Sequence, residues 1–346
     1  MSLRFGLLWP FRNPDFARVA WKDLYREHLD LIVDSEGMGY DNVWLTEHHF
    51  VDDGYSPSLL PIASAIAART TVIRIGTFLV LLPLHNPVRI AEDTATVDLI
   101  SQGRFDLGLG LGFRRKEFDD QGILYSERGG RLKEGVEIIQ KLLNNEVVTY
   151  SGKYNHLKEI QIVPPCVQQP HVPIWIGART PKAIERAAKM DCHFQAGGPP
   201  ALVEHYDACL EAAGRNPQDY FAAQLHWMHL APNREQAWET AAKALHYTIS
   251  KYAEWFSEAD DKIVDSRAID AIPSVDEIIR AQKFNISGED AMVGTPADVR
   301  EMIADYIARG RVTHLVLGMA LSGLATAHIR NSMKLFATEV MPHFRK

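Results

Sequence analysis

The chain has 346 residues, 46% of them hydrophobic, and a formal net charge of -7. That length can bury a large core as one big domain or two ordinary ones. The mixed, mildly acidic balance lacks the basic field of a nucleic-acid binder, and no apolar stretch approaches the roughly 20 residues a membrane helix needs. The predicted elements then follow in chain order. LRFGLLW (3–9) reads as a strand. Val19, Trp21, Leu24, His28, Leu31 and Ile32 fall at helical spacing over 18–37, with Gly37 and Gly39 as a stop. NVWLT (42–46) is a second strand, and PSLLPIASAIAA (57–68) a helix of small residues. VIRIGTFLVLL (72–82) is β-branched and almost wholly apolar, as a strand covered on both faces should be. Asn86 and Pro87 start the next helix and Gly103 follows its end. RFDLGLGLG (104–112) is a fourth strand, and a helix covers about 130–143. After a polar excursion over 144–172 come PIWIG (173–177), a helix opened by Thr180-Pro181, and strands HFQAG (193–197), FAAQLHWMHLA (221–231) and HLVLG (314–318).

Eight predicted strands with helices between most of them imply a parallel sheet, and at this length a closed (β/α)8 TIM barrel within a single domain, 1–346. Residues 250–291 fit no unit, and an excursion of that length near the C-terminal units is expected to be a mobile lid or a disordered loop. Three scattered cysteines (Cys166, Cys192, Cys209) suggest free thiols, not a disulfide framework or a zinc site. The N-terminus is too quickly interrupted to read as a signal peptide, so the expectation is a cytoplasmic protein.

Active sites of such barrels lie at the C-terminal ends of the strands. Glu47-His48-His49 follows the second strand, and Pro83, His85 and Asn86 the third. Gly108, Gly110, Leu111, Gly112, Phe113, Arg114 and Arg115 end the fourth, and Gly177, Ala178, Arg179 and Thr180 the fifth. The glycines do not make a dinucleotide fingerprint: the sixth position is Phe113 counted from Gly108 and Arg115 counted from Gly110. They either clear room for a flat ligand or serve tight packing. Thr180 at a helix start beside Arg179 suits an anion, or is an ordinary cap with a surface arginine. No H-E-x-x-H is present, so no metal is expected, and no G-x-S-x-G supports a serine nucleophile. Histidine as a proton donor or base, alongside a structural histidine, is the remaining chemistry.

VWLTEHHF, LLPLHNPVRIAED, GRFDLGLGLG and VGTP…NSMKLFATEVMP together resemble the bacterial luciferase family of flavin-dependent monooxygenases, end to end and in order, and more the luciferase alpha subunit than the deazaflavin-dependent branch. The resemblance implies a barrel that holds reduced FMN, supplied by a separate reductase. Oxygen adds at the flavin C4a carbon, and the resulting peroxide oxygenates a small apolar substrate such as an aldehyde or ketone. It assigns catalysis to His48, with Glu47 either orienting it or serving as a buried structural carboxylate, and places His49 at a subunit interface. It puts a cis peptide under the flavin at Phe78-Leu79, and the phosphate near Gly110, Leu111, Gly112, Phe113, Ala178, Arg179 and Thr180. Here the chain departs from luciferase, which has arginine where Leu111 stands, cysteine where Gly110 stands and glutamate where Arg179 stands; the expectation is that Arg179, or else Arg114 or Arg115, replaces the cation lost at 111. Trp9, Trp175, Trp227 and Phe113 are candidates for an apolar pocket or for the core. A homodimer through the 57–68 helix is the expected assembly. A non-catalytic flavin carrier and a deazaflavin-dependent oxidoreductase are the competing readings.

Overall fold

The computed structural model describes residues 3–257, 272–286 and 288–345. Eight parallel strands close into a ring: β1 (Arg4–Trp9), β2 (Asn42–Leu45), β3 (Arg74–Thr77), β4 (Phe105–Gly110), β5 (Ile174–Gly177), β6 (His193–Gly197), β7 (Ala222–Leu230) and β8 (His314–Gly318). Each pairs with its sequence neighbour, and β8 pairs back onto β1. This is the expected (β/α)8 barrel, and all eight sequence-predicted strands are in it. The strand read as 72–82 is broken: β3 ends at Thr77, Phe78-Leu79 is a cis peptide, and Val80–Leu81 resumes pairing with β4.

Trp44 shows how the interior is filled. It sits in register between Leu8 of β1 and Gly76 of β3. A Cβ on Gly76 would lie 2.3 Å from the indole and one on Gly6 2.5 Å from it. Only glycine on both neighbouring strands lets so large a ring point into the lumen, where it packs edge-on against Trp175 at 5.3 Å. Trp175 in turn stacks on Phe221. Trp175 and Trp9 are therefore core, Trp9 lying outside the ring against His28. Of the four aromatics proposed for a pocket, Phe113 and Trp227 keep partial exposure.

Helices α1 (Trp21–Gly37), α2 (Leu59–Ala67), α3 (Pro87–Ser101), α4 (Arg115–Asp119), α5 (Arg128–Leu143), α6 (Pro181–Lys189) and α7 (Ala201–Ala212) follow in turn. The cap read at Asn86 is made: its Oδ1 accepts from the amides of Val88 and Arg89. Residues 144–172 form a hairpin, Val148–Ser151 with His156–Ile160, before β5.

The 24-residue helix α8 (Arg234–Ser257) changes the reading of the insertion. Residues 250–257 are its last turns, so this part of the expected 250–291 lid belongs to the helical shell. Residues 272–286 carry α9 (Val275–Ala281), closed at its start by a Ser274–Glu277 capping box. Residues 258–271 and 287, the middle of the expected lid, lie outside the described residues. Ala237, Trp238, Ala241 and Leu245 of α8 form a small second core with Ile278, Phe284 and Val293. The chain then returns through Met292–Gly294, paired to the end of β7, to α10 (Pro296–Ala308), which Thr295 and Asp298 cap reciprocally, and to α11 (Thr326–Leu335) after β8.

Candidate active site

β2 is buried on both faces and delivers Glu47, His48 and His49 to the C-terminal rim. Once the strand ends, the three side chains separate. His48 turns to Glu117 on α4, with Nδ1 2.9 Å from Oε1. Glu117 is fully buried, and the same oxygen accepts the backbone N–H of His49 at 2.8 Å. With Glu117 ionised, Nδ1 carries the proton and Nε2 of a neutral imidazole is left as the base. The ring of His48 is walled by Tyr55 (centroids 4.8 Å apart), Trp255 (4.7 Å) and Phe113 (5.6 Å).

Glu47 makes no bond to His48, against the orienting reading, and is instead a buried carboxylate bonded to its other neighbours. Its Oε1 lies 2.6 Å from His49 Nε2 and 2.7 Å from His85 Nε2, and its Oε2 accepts from the Leu81 amide at 3.3 Å. Burial works against its charge, but the bonds and charges of the two imidazoles outweigh it and hold the carboxyl below its ordinary range. His49 shows the converse: burial opposes its protonation, yet the bond to Glu47 and the charges of Glu47 and Glu117 push it above the ordinary histidine value. These three residues bring ligand atoms within 4.8 Å of one another, close enough for a divalent cation. With Glu47 Oε1 shared between both rings, the cluster is also satisfied as a hydrogen-bonded set.

A third cluster joins the ends of β1 and β2. Arg12 donates from Nε to Asp53 Oδ2 at 2.5 Å, and both residues are buried. Tyr247 of α8 donates to the same oxygen at 2.9 Å, while Oδ1 accepts the Tyr55 amide. The guanidinium is flanked by the rings of Tyr55, Tyr247 and Trp255 at 5.0, 5.1 and 5.5 Å. Trp255 also takes Arg114 at 5.1 Å, and Arg114 donates to the His49 carbonyl at 2.6 Å.

The remaining sequence candidates lie at the ends of β3, β4 and β5. Phe78 is half-buried and edge-on to Trp44. Leu79 reaches across to two strands: a Cβ on Gly177 would sit 2.1 Å from it and one on Gly110 2.8 Å. Gly108 is a packing glycine, since a Cβ there would meet the Thr77 carbonyl at 1.9 Å. Leu111, Gly112 and Phe113 are half-buried on the rim after β4, and Gly112 has φ +72. Ala178 is buried and its amide donates to Gln195. Arg179 is half-buried, and burial lowers its pKa. Thr180 is the N-cap of α6 by position, and its carbonyl accepts from Ala183 and Ile184, but its side chain makes no capping bond.

Sequence reasoning missed Glu117, Arg12, Asp53, Tyr55, Tyr247, Tyr252 and Trp255. Glu117 had a faint signal, as a carboxylate in the RRKEF run just past the glycines. The others come from loops and a helix distant in sequence.

The chain matches the luciferase-like monooxygenase family over residues 3–313 and belongs to that family. It is 25% identical to the oxygenase component of the flavin-dependent trigonelline monooxygenase of Acinetobacter baylyi, over 93% of this chain and 91% of the relative. It is 31% identical to an F420-dependent glucose-6-phosphate dehydrogenase of Microbacterium testaceum, over 92% and 94%. Monooxygenase RslO1 of Streptomyces bottropensis superposes with a TM-score of 0.83 at 27% identity, covering 99% of this chain and all of that one. The relatives thus include flavin-dependent monooxygenases and F420-dependent oxidoreductases. Among the described residues no helix is long and apolar enough to cross a membrane.

Proposed function

We propose that the protein is the oxygenase component of a two-component monooxygenase, taking reduced FMN from a separate reductase and using O2 to oxygenate a small organic substrate. The carrying observation is the buried pair His48–Glu117 at the end of β2, walled by Tyr55, Phe113 and Trp255. The residues present fit the cofactor. Arg179 and the Thr180 hydroxyl, which is not used in capping, offer a cation and a donor for a phosphate at the start of α6. Leu79, lying over Gly110 and Gly177, offers an apolar seat for a flat ring, with Phe78, Leu111, Gly112, Phe113 and Ala178 around it.

Reduced FMN, when bound, supplies the two electrons that activate O2. The chain's own part is to hold the ring and phosphate, to exclude water with the aromatic wall, and to manage a proton at Nε2 of His48. Glu117 fixes the tautomer and orientation of that imidazole. Glu47, His49 and His85 brace the rim. We further propose a cytoplasmic homodimer in which α2, with Pro61 exposed and Ser64 and Ala65 half-buried, and Ala68 exposed at its C-cap, faces the partner.

A second reading, hydride transfer with the deazaflavin F420, is favoured by the 31% identity to an F420-dependent dehydrogenase. Anaerobic binding of reduced FMN and reduced F420 separates the two, followed by oxygen uptake with a flavin reductase and a panel of aldehydes and ketones. Tighter FMN binding and oxygen uptake matched by product support the monooxygenase. Tighter F420 binding with substrate reduced or oxidised in the absence of oxygen supports the alternative.

A further inference from the structure

The third cluster holds a cation whose bonds are unfinished. Arg12 is 2% exposed, and of its three guanidinium nitrogens only Nε has a hydrogen-bond partner; Nη1 and Nη2 are buried with no acceptor among the described residues. A buried donor without an acceptor is costly, and more so on a charged group, so a fold that keeps two on one side chain calls for an acceptor there. The arrangement also fixes the fork. Asp53 grips Nε and is itself locked by Tyr247 and the Tyr55 amide, so the guanidinium cannot rotate. Its two terminal nitrogens form the planar pair that matches the two oxygens of a carboxylate. The position is at the candidate active site: Arg12 and His48 pack on the same two rings, Tyr55 and Trp255. Those rings, with Tyr252 and Phe256 from the same turns of α8, make most of the surround aromatic, and the Tyr55 and Tyr252 hydroxyls bond each other at 3.1 Å.

From these observations we infer that Arg12 is a substrate anchor, and that the substrate is an organic acid whose carboxylate takes Nη1 and Nη2 while its apolar body lies along Tyr55 and Trp255 toward His48. This deepens the reading of the rim as an oxygenation site and rests on it. Asp53 and Tyr247 are positioning residues for the fork.

The test begins on the unmodified protein without flavin. Benzoate, phenylacetate and nicotinate are titrated calorimetrically against benzamide, phenylacetamide and nicotinamide, which keep the shape and lose the charge. At least one acid should bind tenfold or more tightly than its amide. In R12K, checked for fold by circular dichroism, that preference should drop below threefold, because a lysine keeps the charge and loses the fork. Equal binding of acids and amides, no saturable binding by any acid, or a preference surviving in R12K would overturn the anchor. If R12K does not fold, a crystal structure with the tightest acid decides: a carboxylate on Nη1 and Nη2 upholds the inference, and water alone on the fork defeats it. Absent acid preference with reduced FMN still bound and oxygen still consumed removes only the anchor. Absent flavin binding removes the oxygenase reading, and the titrations of the flavin-free protein stand by themselves.

Discussion

Glu47, His48 and His49 are consecutive in the chain, yet they belong to two clusters with opposite characters. Among the described residues His48 has one carboxylate partner, Glu117, and an aromatic wall, with no other charged contact on its ring. Glu47 is shared between two imidazoles and a backbone amide, with every bond local to the ends of β2 and β3. One arrangement leaves an imidazole nitrogen for chemistry; the other spends its polar atoms on holding two strand ends together. Adjacent ionisable residues therefore need not share a task, and what divides them is the alternation of side chains as the strand runs out.

The comparison can be broken by substitution. His48→Ala should lower turnover by about 10²–10⁴-fold, the usual worth of a positioned acid or base, with the fold retained; product formation under saturating reduced flavin measures it. Glu47→Gln should act first on stability, costing about 3 kcal/mol in urea unfolding, because it removes one partner from a buried charged set. Per folded molecule, Glu117→Gln should reduce turnover more than Glu47→Gln does, and the reverse order would dissolve the division of labour. Arg179→Ala should weaken reduced FMN about tenfold while leaving reduced riboflavin nearly unchanged, one charge-assisted contact being worth roughly that much; equal weakening would take away the phosphate role.

The smallest effect is one of pH. The raised value of His49 means its contribution to stability is fully present below the unfolded histidine value of about 6.5 and is lost as pH rises through the folded one. His49→Gln should therefore cost more at pH 6 than at pH 9. Four other histidines, buried or largely so, run the other way. Burial lowers His28, His193 and His229 to about 4 and His226 to about 3, so the stability they confer is present above about pH 6.5 and lost as pH falls toward those values. Unfolding curves at several pH values should show the native protein losing stability below pH 6.5.

The barrel was legible because parallel strands covered on both faces read as short apolar runs, as β1, β2 and β5 do, though β6 and β7 carry Gln195, Gln224, His226 and His229 within theirs. The helix start at Asn86 was legible from its cap. The EHH block could be read as chemistry because three ionisable groups directly follow such a strand. The partner of His48 could not, since Glu117 lies 69 positions away on a short helix that no periodicity marks. Arg12 and Asp53, 41 positions apart on two loops, are equally silent in sequence. The 250–291 boundary failed because KYAEWF, read with the polar stretch after it, hides the end of α8, whose Tyr247, Tyr252 and Trp255 turn inward.

That helix has its own footing. Its alanine-rich face rests on α9 and on the strand at Met292–Gly294, apart from the main barrel core. The α8 side of the proposed chamber, with Tyr247, Tyr252 and Trp255, thus hangs on a bracket of its own, while Arg12, Tyr55 and the imidazole of His48 rise from the barrel's strand ends. Natural variation or a laboratory graft can exchange the bracket, and with it the menu of molecules accepted, without recasting the machinery beneath.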